Sequence, residues 1–283
     1  MLVPPRVFAG PDDLGDCVAA LIVARLTDGP AGRPFLLGCP GGRSLRTTYG
    51  ALAHRAAALD LDLSGLVIVM MDEYVELGPK GCPAAVGGER PYSCRRFGAD
   101  EIVGRLNAAL RSAGRSAGHA IPPQNLWLPD PADPDGYEGR LAEAGGIDLF
   151  LLASGAGDGH VGFNPPGADR DSRTRVLPLP DSTRRDNLAT FPAFAGDIAR
   201  VPSHGVTVGI GTIRERSAEA IMVVHGEDKQ RAARRLADAA DYDPDWPATV
   251  LSECRAPKLF VDRAAFRADV ASAPGRISDR SDQ

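Results

Sequence analysis

Lysine is nearly missing from this chain of 283 residues: of its 32 basic residues only Lys80, Lys229 and Lys258 are lysines, so arginine is the default cation and each lysine stands out. Aromatic residues are also scarce, at 6%, which leaves Leu, Val, Ile and Ala to build the core of an ordinary globular composition. There is no excess of positive charge. The formal net charge is -5 and the pI about 5.6, which argues against a nucleic-acid-binding face, because neutralising phosphates needs clustered cations. No stretch approaches the roughly 18 apolar residues of a membrane helix. The opening "MLVPPRVFAGPDDLGDC" lacks the cationic segment and apolar run of a secretory leader, so a cytoplasmic protein without a membrane partner is expected. The five cysteines, Cys17, Cys39, Cys82, Cys94 and Cys254, are odd in number, scattered and free of any C-x-x-C pair. That fits a reducing compartment, argues against a zinc site and leaves them as ordinary thiols in or near the core. Repeats and obvious linkers are missing too. The length suits one domain over residues 1–271 followed by a frayed tail, 272–283.

Short aliphatic runs are present instead, at 33–39, 66–72, 147–154, 205–211, 219–226 and 257–262. Nearly all are continuously apolar rather than alternating, the pattern of strands covered on both faces. Between them, 44–60 and 227–240 carry apolar residues at helical spacing, and 133–145 opens on an Asp-Pro helix entry. This order predicts an α/β fold, an open doubly wound, mostly parallel sheet with helices on both faces. The segment 82–91 reads as an excursion loop.

In such sheets ligands bind beyond the carboxyl ends of the strands. After the first run comes "GCPGGRSLRTTYGAL", where Gly41, Gly42, Arg43 and Ser44 precede a helix whose free amides attract an anion. It lacks G-x-x-x-x-G-K-[ST], so a nucleotide P-loop is unsupported. After the second run, Asp72 and Glu73 end "LVIVMMDE", and a carboxylate there is placed to act as a general base. After the third comes "GAGDGHVGFNPPG", in which Asp158 stands two residues before His160 and can orient its imidazole. After the fifth, Lys229 lies in the first turn of a helix, where the dipole disfavours a cation unless an anion shares the site. Each feature alone has a plain structural explanation: a capped glycine turn, a solvated strand end, a turn with a surface histidine, a solvated lysine. Together they put a phosphate cradle, a carboxylate, an Asp/His pair and a lysine at one sheet edge, a set suited to proton transfer on a phosphorylated sugar.

These motifs, with "RPYSCRRF", "SRTRVLPL", "VTVGIGTI" and "VVHGEDK", run colinearly over about residues 34 to 262. In that order the chain resembles the glucosamine-6-phosphate deaminase family, which shares its fold with 6-phosphogluconolactonases. The resemblance implies an enzyme without metal or redox cofactor, in which Asp72 moves a proton between C1 and C2 of the open-chain sugar. It further implies that His160, oriented by Asp158, handles ring opening, and that the 41–44 amides, Ser44 and Lys229 hold the phosphate. The implied partner is a small-molecule sugar phosphate, and the resemblance leaves room for a homo-oligomer.

Two departures stand out. Pro165 occupies the position at which the deaminases carry a glutamate that completes the relay with the histidine; Glu73 and the Asp169–Asp171 pair are candidate substitutes. The family's phosphate-binding arginine counts to Ala189, and Arg185, one helical turn earlier, or Arg43 is the candidate replacement. The favoured activity is an aldose–ketose isomerase or deaminase on an amino-hexose 6-phosphate or related sugar phosphate. A lactone hydrolase, suggested by the "NPPG" ending at 164–167, and a catalytically silent sugar-phosphate-binding protein are the alternatives.

Overall fold

In the computed structural model, which describes residues 1–29, 32–188 and 190–266, the aliphatic runs lie side by side in a seven-stranded sheet. The chain begins with β1 (Pro5–Phe8) and α1 (Pro11–Thr27), then β2 (Phe35–Cys39), α2 (Arg46–Leu59) and β3 (Leu66–Met70). Next come β4 (Asp72–Leu77), β5 (Pro83–Ala85) and α3 (Cys94–Phe97), which continues through a π-helical stretch into α4 (Arg105–Ser112). β6 (Leu126–Trp127), α5 (Pro134–Glu143), β7 (Leu149–Ala153), β8 (Arg175–Pro178) and α6 (Asp181–Leu188) follow. The remainder is β9 (His204–Thr207), α7 (Ile210–Arg216), β10 (Ala220–Val224), α8 (Gln230–Asp238) and β11 (Pro257–Asp262). The predicted tail 272–283 and Ala189 lie outside the described residues.

The large sheet has the order β1-β11-β10-β7-β2-β3-β6, and every pairing in it is parallel. Its central strands β2, β3, β7 and β10 are apolar throughout because both faces are covered. Leu36, Val67, Val69, Phe150 and Leu152 join one core with residues of α5, α7 and α8, while Leu37, Ile68, Met70, Leu149 and Leu151 join the other with α1, α2 and α4. Successive side chains of a strand point to opposite faces, so a strand buried on both sides has no polar alternation to show. The doubly wound α/β architecture is as the sequence predicts. Among the described residues no helix is long and apolar enough to cross a membrane.

A second sheet of order β5-β4-β9-β8 is entirely antiparallel and departs from the sequence expectation. The run 66–72 is not one strand. β3 ends at Met70, and after Met71 the chain enters β4, which pairs with β9 in the register Asp72↔Thr207. The run 205–211 likewise divides into β9 and the start of α7, and the loop 82–91 contains the edge strand β5. Apolarity marks these segments as buried but carries no information on which sheet receives them. Under the small sheet lies a third core of Tyr74, Val86, Phe163, Leu179, Phe194 and Val201, with Tyr74 and Phe163 rings 4.9 Å apart.

The topology points to one place. From β2 the chain moves outward to β3 and β6, then returns to β7 on the other side of β2 and continues to β10 and β11. The winding direction therefore reverses between β2 and β7, and the crevice beyond their carboxyl ends is where an open α/β sheet binds its ligand.

Candidate active site

A cavity of about 720 Å³, counted to its open mouth, occupies that crevice. It is lined by Pro40–Ser44 beyond β2, by Ala153–Gly155, His160, Gly162 and Phe163 beyond β7, and by Asp72 and Tyr74 of β4. Cys94, Lys229 and, from α6 and the turn after it, Asp186, Asn187, Thr190 and Phe191 complete it.

The loop after β7 folds back on itself: the Gly155 amide donates to the His160 carbonyl at 2.8 Å, and Asp158 Oδ1 accepts from the His160 amide at 3.2 Å. The same oxygen lies 2.7 Å from His160 Nδ1, leaving Nε2 free to meet a ligand. Asp158 Oδ2 accepts from Thr183 Oγ1 at 3.0 Å. Burial alone would push the Asp158 carboxyl up, but the hydrogen bonds and charge of His160 outweigh it and hold the carboxyl well below the ordinary range. The imidazole lies against bare backbone: a Cβ on Gly155 would stand 2.3 Å from Nδ1, so only glycine fits there.

Strand alternation decides the roles of the neighbouring acids. Asp72 and Tyr74, two residues apart on β4, line the cavity, and Glu73 points away. Asp72 is buried, and burial pushes its carboxyl up to about 7. The Cys94 thiol, donating to Oδ1 at 3.2 Å, and the charge of His160 oppose that rise, whereas the charge of Glu73 adds to it. Such a carboxylate changes protonation near neutrality, as a reversible proton carrier must. Tyr74 Oη and Asn187 Nδ2 approach each other in the cavity wall without a well-formed hydrogen bond, so both have capacity for a polar ligand.

The anion side of the cavity is formed by Gly41–Ser44 ahead of α2. Gly42 has φ +88, a left-handed conformation that turns the chain toward the helix. No side chain caps α2, and its Arg46 amide turns back to the Arg43 carbonyl at 3.3 Å, which sets the glycine loop against the positive end of the helix. Lys229 reaches the same region, its ammonium donating to the Ser154 carbonyl. Burial pushes that ammonium below the ordinary lysine range, against the charges of Asp186 and Asp228. Arg43 is tied to Asp228 at 2.8 Å on the surface side. A partly buried cation beside a helix N-terminus is suited to a phosphate group.

No family model matches the chain, but whole-chain relatives do. It is 34% identical over 279 residues to a glucosamine-6-phosphate deaminase of Streptomyces avermitilis, an overlap covering 99% of this chain and 94% of that protein. The chain belongs to the glucosamine-6-phosphate deaminase/isomerase family. Within that family it is also 29% identical to a glucosamine-6-phosphate isomerase of Candida albicans, covering 92% of this chain and 96% of the relative. The solved structure of a monomeric glucosamine-6-phosphate deaminase superposes with a TM-score of 0.78 at 25% identity, over 93% of this chain and 98% of that one. A 6-phosphogluconolactonase from Leishmania guyanensis, at 15% identity and TM-score 0.63, shares the fold.

For this member of the deaminase/isomerase family, Asp72, Asp158, His160, the Gly41–Ser44 loop and Lys229 converge on one crevice. Arg185 does not join them: its side chain is 66% exposed on α6 and pairs with Asp181 at 3.5 Å. Residues 185 and 186 are about 100° apart around a helix, and it is Asp186 that faces inward. Pro165 lies off the cavity, its carbonyl accepting from the Ala168 amide. Neither group named as a substitute for the missing glutamate reaches His160's cavity. Asp171 is exposed and paired with Arg214, and Asp169 accepts the Asp171 amide at 2.7 Å. Tyr74, Cys94, Asp186 and Asn187 are lining residues that the sequence reading passed over, although Tyr74 follows from period-2 alternation once Asp72 is placed. Asp158, His160 and Asp186 are the cluster among the described residues whose ligand atoms come within 4.8 Å of one another. With Nδ1 spent on Asp158, the set reads as an acid–base cluster rather than a metal centre.

Glu73 has a structural task. Its carboxylate accepts four hydrogen bonds, from the amides of Tyr74, Cys94 and Arg95 and from Ser93 Oγ, at 2.8 to 2.9 Å. It thereby fixes α3 and the Cys94 thiol against Asp72. Glu73→Gln turns one of the two accepting oxygens into a donor facing donors, at a cost of about 2–3 kcal/mol. The expected result is a melting temperature lower by about 5–10 °C in a thermal scan.

Proposed function

We propose that this protein is a sugar-phosphate aldose–ketose isomerase of the deaminating kind, acting on an amino-hexose 6-phosphate or a closely related sugar phosphate. The observation that carries the reading is the placement of a buried carboxylate, Asp72, whose pKa is pushed up to about 7, in the same crevice as a histidine held through Nδ1. The named activities of the relatives agree with it.

In this reading the phosphate sits on the Gly41–Ser44 amides, Ser44 and Lys229. His160 Nε2 takes the proton of the anomeric hydroxyl and returns it to the ring oxygen as the C1–O5 bond breaks, which leaves the histidine unchanged. Asp72 then removes the proton from C2 of the open-chain aldose, exchanges it in part with solvent while the enolamine stands, and delivers a proton to C1, as a proton of the amine passes to O1. The resulting C2 imine is hydrolysed by water, releasing ammonia and the ketose phosphate. A base that must both take and return a proton works best with a pKa near the working pH, and burial supplies that for Asp72.

A lactone hydrolase would need only His160 and a water, and would have no task for a buried carboxylate in the same cavity. The decisive experiment supplies glucosamine 6-phosphate in deuterium oxide and follows ammonia together with deuterium at C1 of the product. The expected outcome is release of ammonia with deuterium incorporated. Hydrolysis of 6-phosphogluconolactone without sugar exchange would replace the proposal with the lactonase reading, and binding of sugar phosphates without either reaction would reduce it to a binding protein.

A further inference from the structure

The position at which the deaminases carry their relay glutamate is proline here and lies outside the cavity, yet His160 does not stand with a single carboxylate. Asp186 Oδ2 lies 3.9 Å from His160 Nδ1, on the side opposite the free Nε2. That oxygen accepts from the Ala156 amide at 3.1 Å, which fixes the carboxylate to the same loop that carries Asp158 and His160. α6 presents it: Thr183, whose hydroxyl holds Asp158, and Asp186 are three residues apart on one helical face. One helix thus braces the first carboxylate and supplies the second. The ionisable groups around the imidazole are Asp158 on its own loop, Asp186 on α6, Asp72 on β4, and Lys229 ahead of α8.

We infer that Asp186 is the second carboxylate of the His160 acid–base pair, a positioning residue that restores from α6 the charge that Pro165 cannot provide. The inference rests on the sugar-phosphate reading above. When Nε2 takes the anomeric proton, the ring becomes an imidazolium with its positive charge shared between Nδ1 and Nε2. Asp158 alone offsets that charge through its hydrogen bond; Asp186, within ion-pair distance, adds a second anion on the same side. The proton returns from Nε2 to the ring oxygen as the C1–O5 bond opens, so no proton leaves the site and neither carboxylate has to be protonated. Asp186 therefore acts on ring opening and not on the later C1/C2 transfer, which belongs to Asp72.

The test separates those steps by substrate. Glucosamine 6-phosphate is a closed ring and requires opening; 5-deoxyfructose 6-phosphate lacks the ring-forming oxygen, stays open, and reports only carbon–hydrogen exchange at C1 in deuterium oxide. Asp186→Asn is expected to lower kcat/KM for glucosamine 6-phosphate about 10- to 100-fold while leaving exchange of the open-chain probe within about twofold of the parent enzyme. Asp186→Glu, which keeps the charge, is expected to recover most of the loss. The side chain is partly exposed, so the fold tolerates both changes, which matching melting curves verify. Equal loss on both substrates, unchanged ring-substrate kinetics, or no recovery by glutamate overturns the relay. A parent enzyme that acts on neither substrate overturns the sugar-phosphate reading itself, and this inference falls with it.

Discussion

Asp72→Asn is expected to suppress C1/C2 proton exchange, lowering kcat by about three orders of magnitude, the middle of the range for removing a positioned general base. Deuterium wash-in to the product, measured by NMR, reads this step directly. The substitution is close to isosteric and Asn can still accept the Cys94 thiol hydrogen bond, so the loss reports chemistry and not collapse of the site. The parent enzyme carries a matching pH signature. Asp72 must be ionised to take a proton, and burial pushes its carboxyl up to about 7, so kcat rises with pH through about 7.

The same shift has a stability consequence of opposite sense. A carboxyl raised from 3.8 to about 7 binds its proton more tightly folded than unfolded. Its stabilising contribution is therefore complete below the unfolded value and is lost progressively as pH climbs to about 7. Above that the folded protein keeps a buried anion at a cost on the order of a few kcal/mol. Asp72→Asn avoids it. The variant is expected to melt several degrees above the parent at pH 8.5, with the gap closing near pH 4, in thermal scans at the two pH values. A variant both inactive and more stable at high pH is the mark of a site that holds an acid against its solvation preference.

The residues with strongly determined surroundings were the legible ones. Continuous apolar runs read as strands covered on both faces, and their order with intervening helices points to a doubly wound sheet whose carboxyl edge gathers Asp72, Asp158, His160 and Lys229. What periodicity does not carry is partner choice. "LVIVMMD" reads as one strand, but Met71 is a crossing from a parallel to an antiparallel sheet, and nothing local to Met71 announces β9 as the next neighbour. Helix rotation was the other hidden quantity. Counting back one turn from Ala189 selects Arg185, whereas the face that meets the cavity carries Thr183, Asp186 and Asn187. A displacement of one residue, about 100° of rotation, separates an exposed arginine from the carboxylate beside His160. Glu73 shows the same sensitivity in a strand, where one step turns a candidate acid into the anchor of α3.

Lys229→Met is expected to raise KM for phosphorylated sugars about 100-fold while leaving kcat at saturation within a few-fold. Methionine keeps the aliphatic packing of the partly buried stem and removes only the ammonium, so the loss measures a charge-assisted contact in a partly desolvated site, roughly 2–3 kcal/mol. Initial-rate kinetics with glucosamine 6-phosphate and with unphosphorylated glucosamine separate the two effects. The expected penalty appears only where the phosphate is present. Arg43→Ala serves as the internal comparison: its guanidinium is about half exposed and already paired with Asp228, so a change of no more than a few-fold is expected. Equal penalties from the two variants would mean that the anion is held at the mouth by Arg43 instead of deep against the Gly41–Ser44 amides. Alkaline pH tests the same assignment without mutation. Burial holds the Lys229 ammonium below the ordinary lysine range, so KM for the phosphorylated sugar should climb at a lower pH than for a solvent-exposed lysine site, and that climb should vanish in the methionine variant.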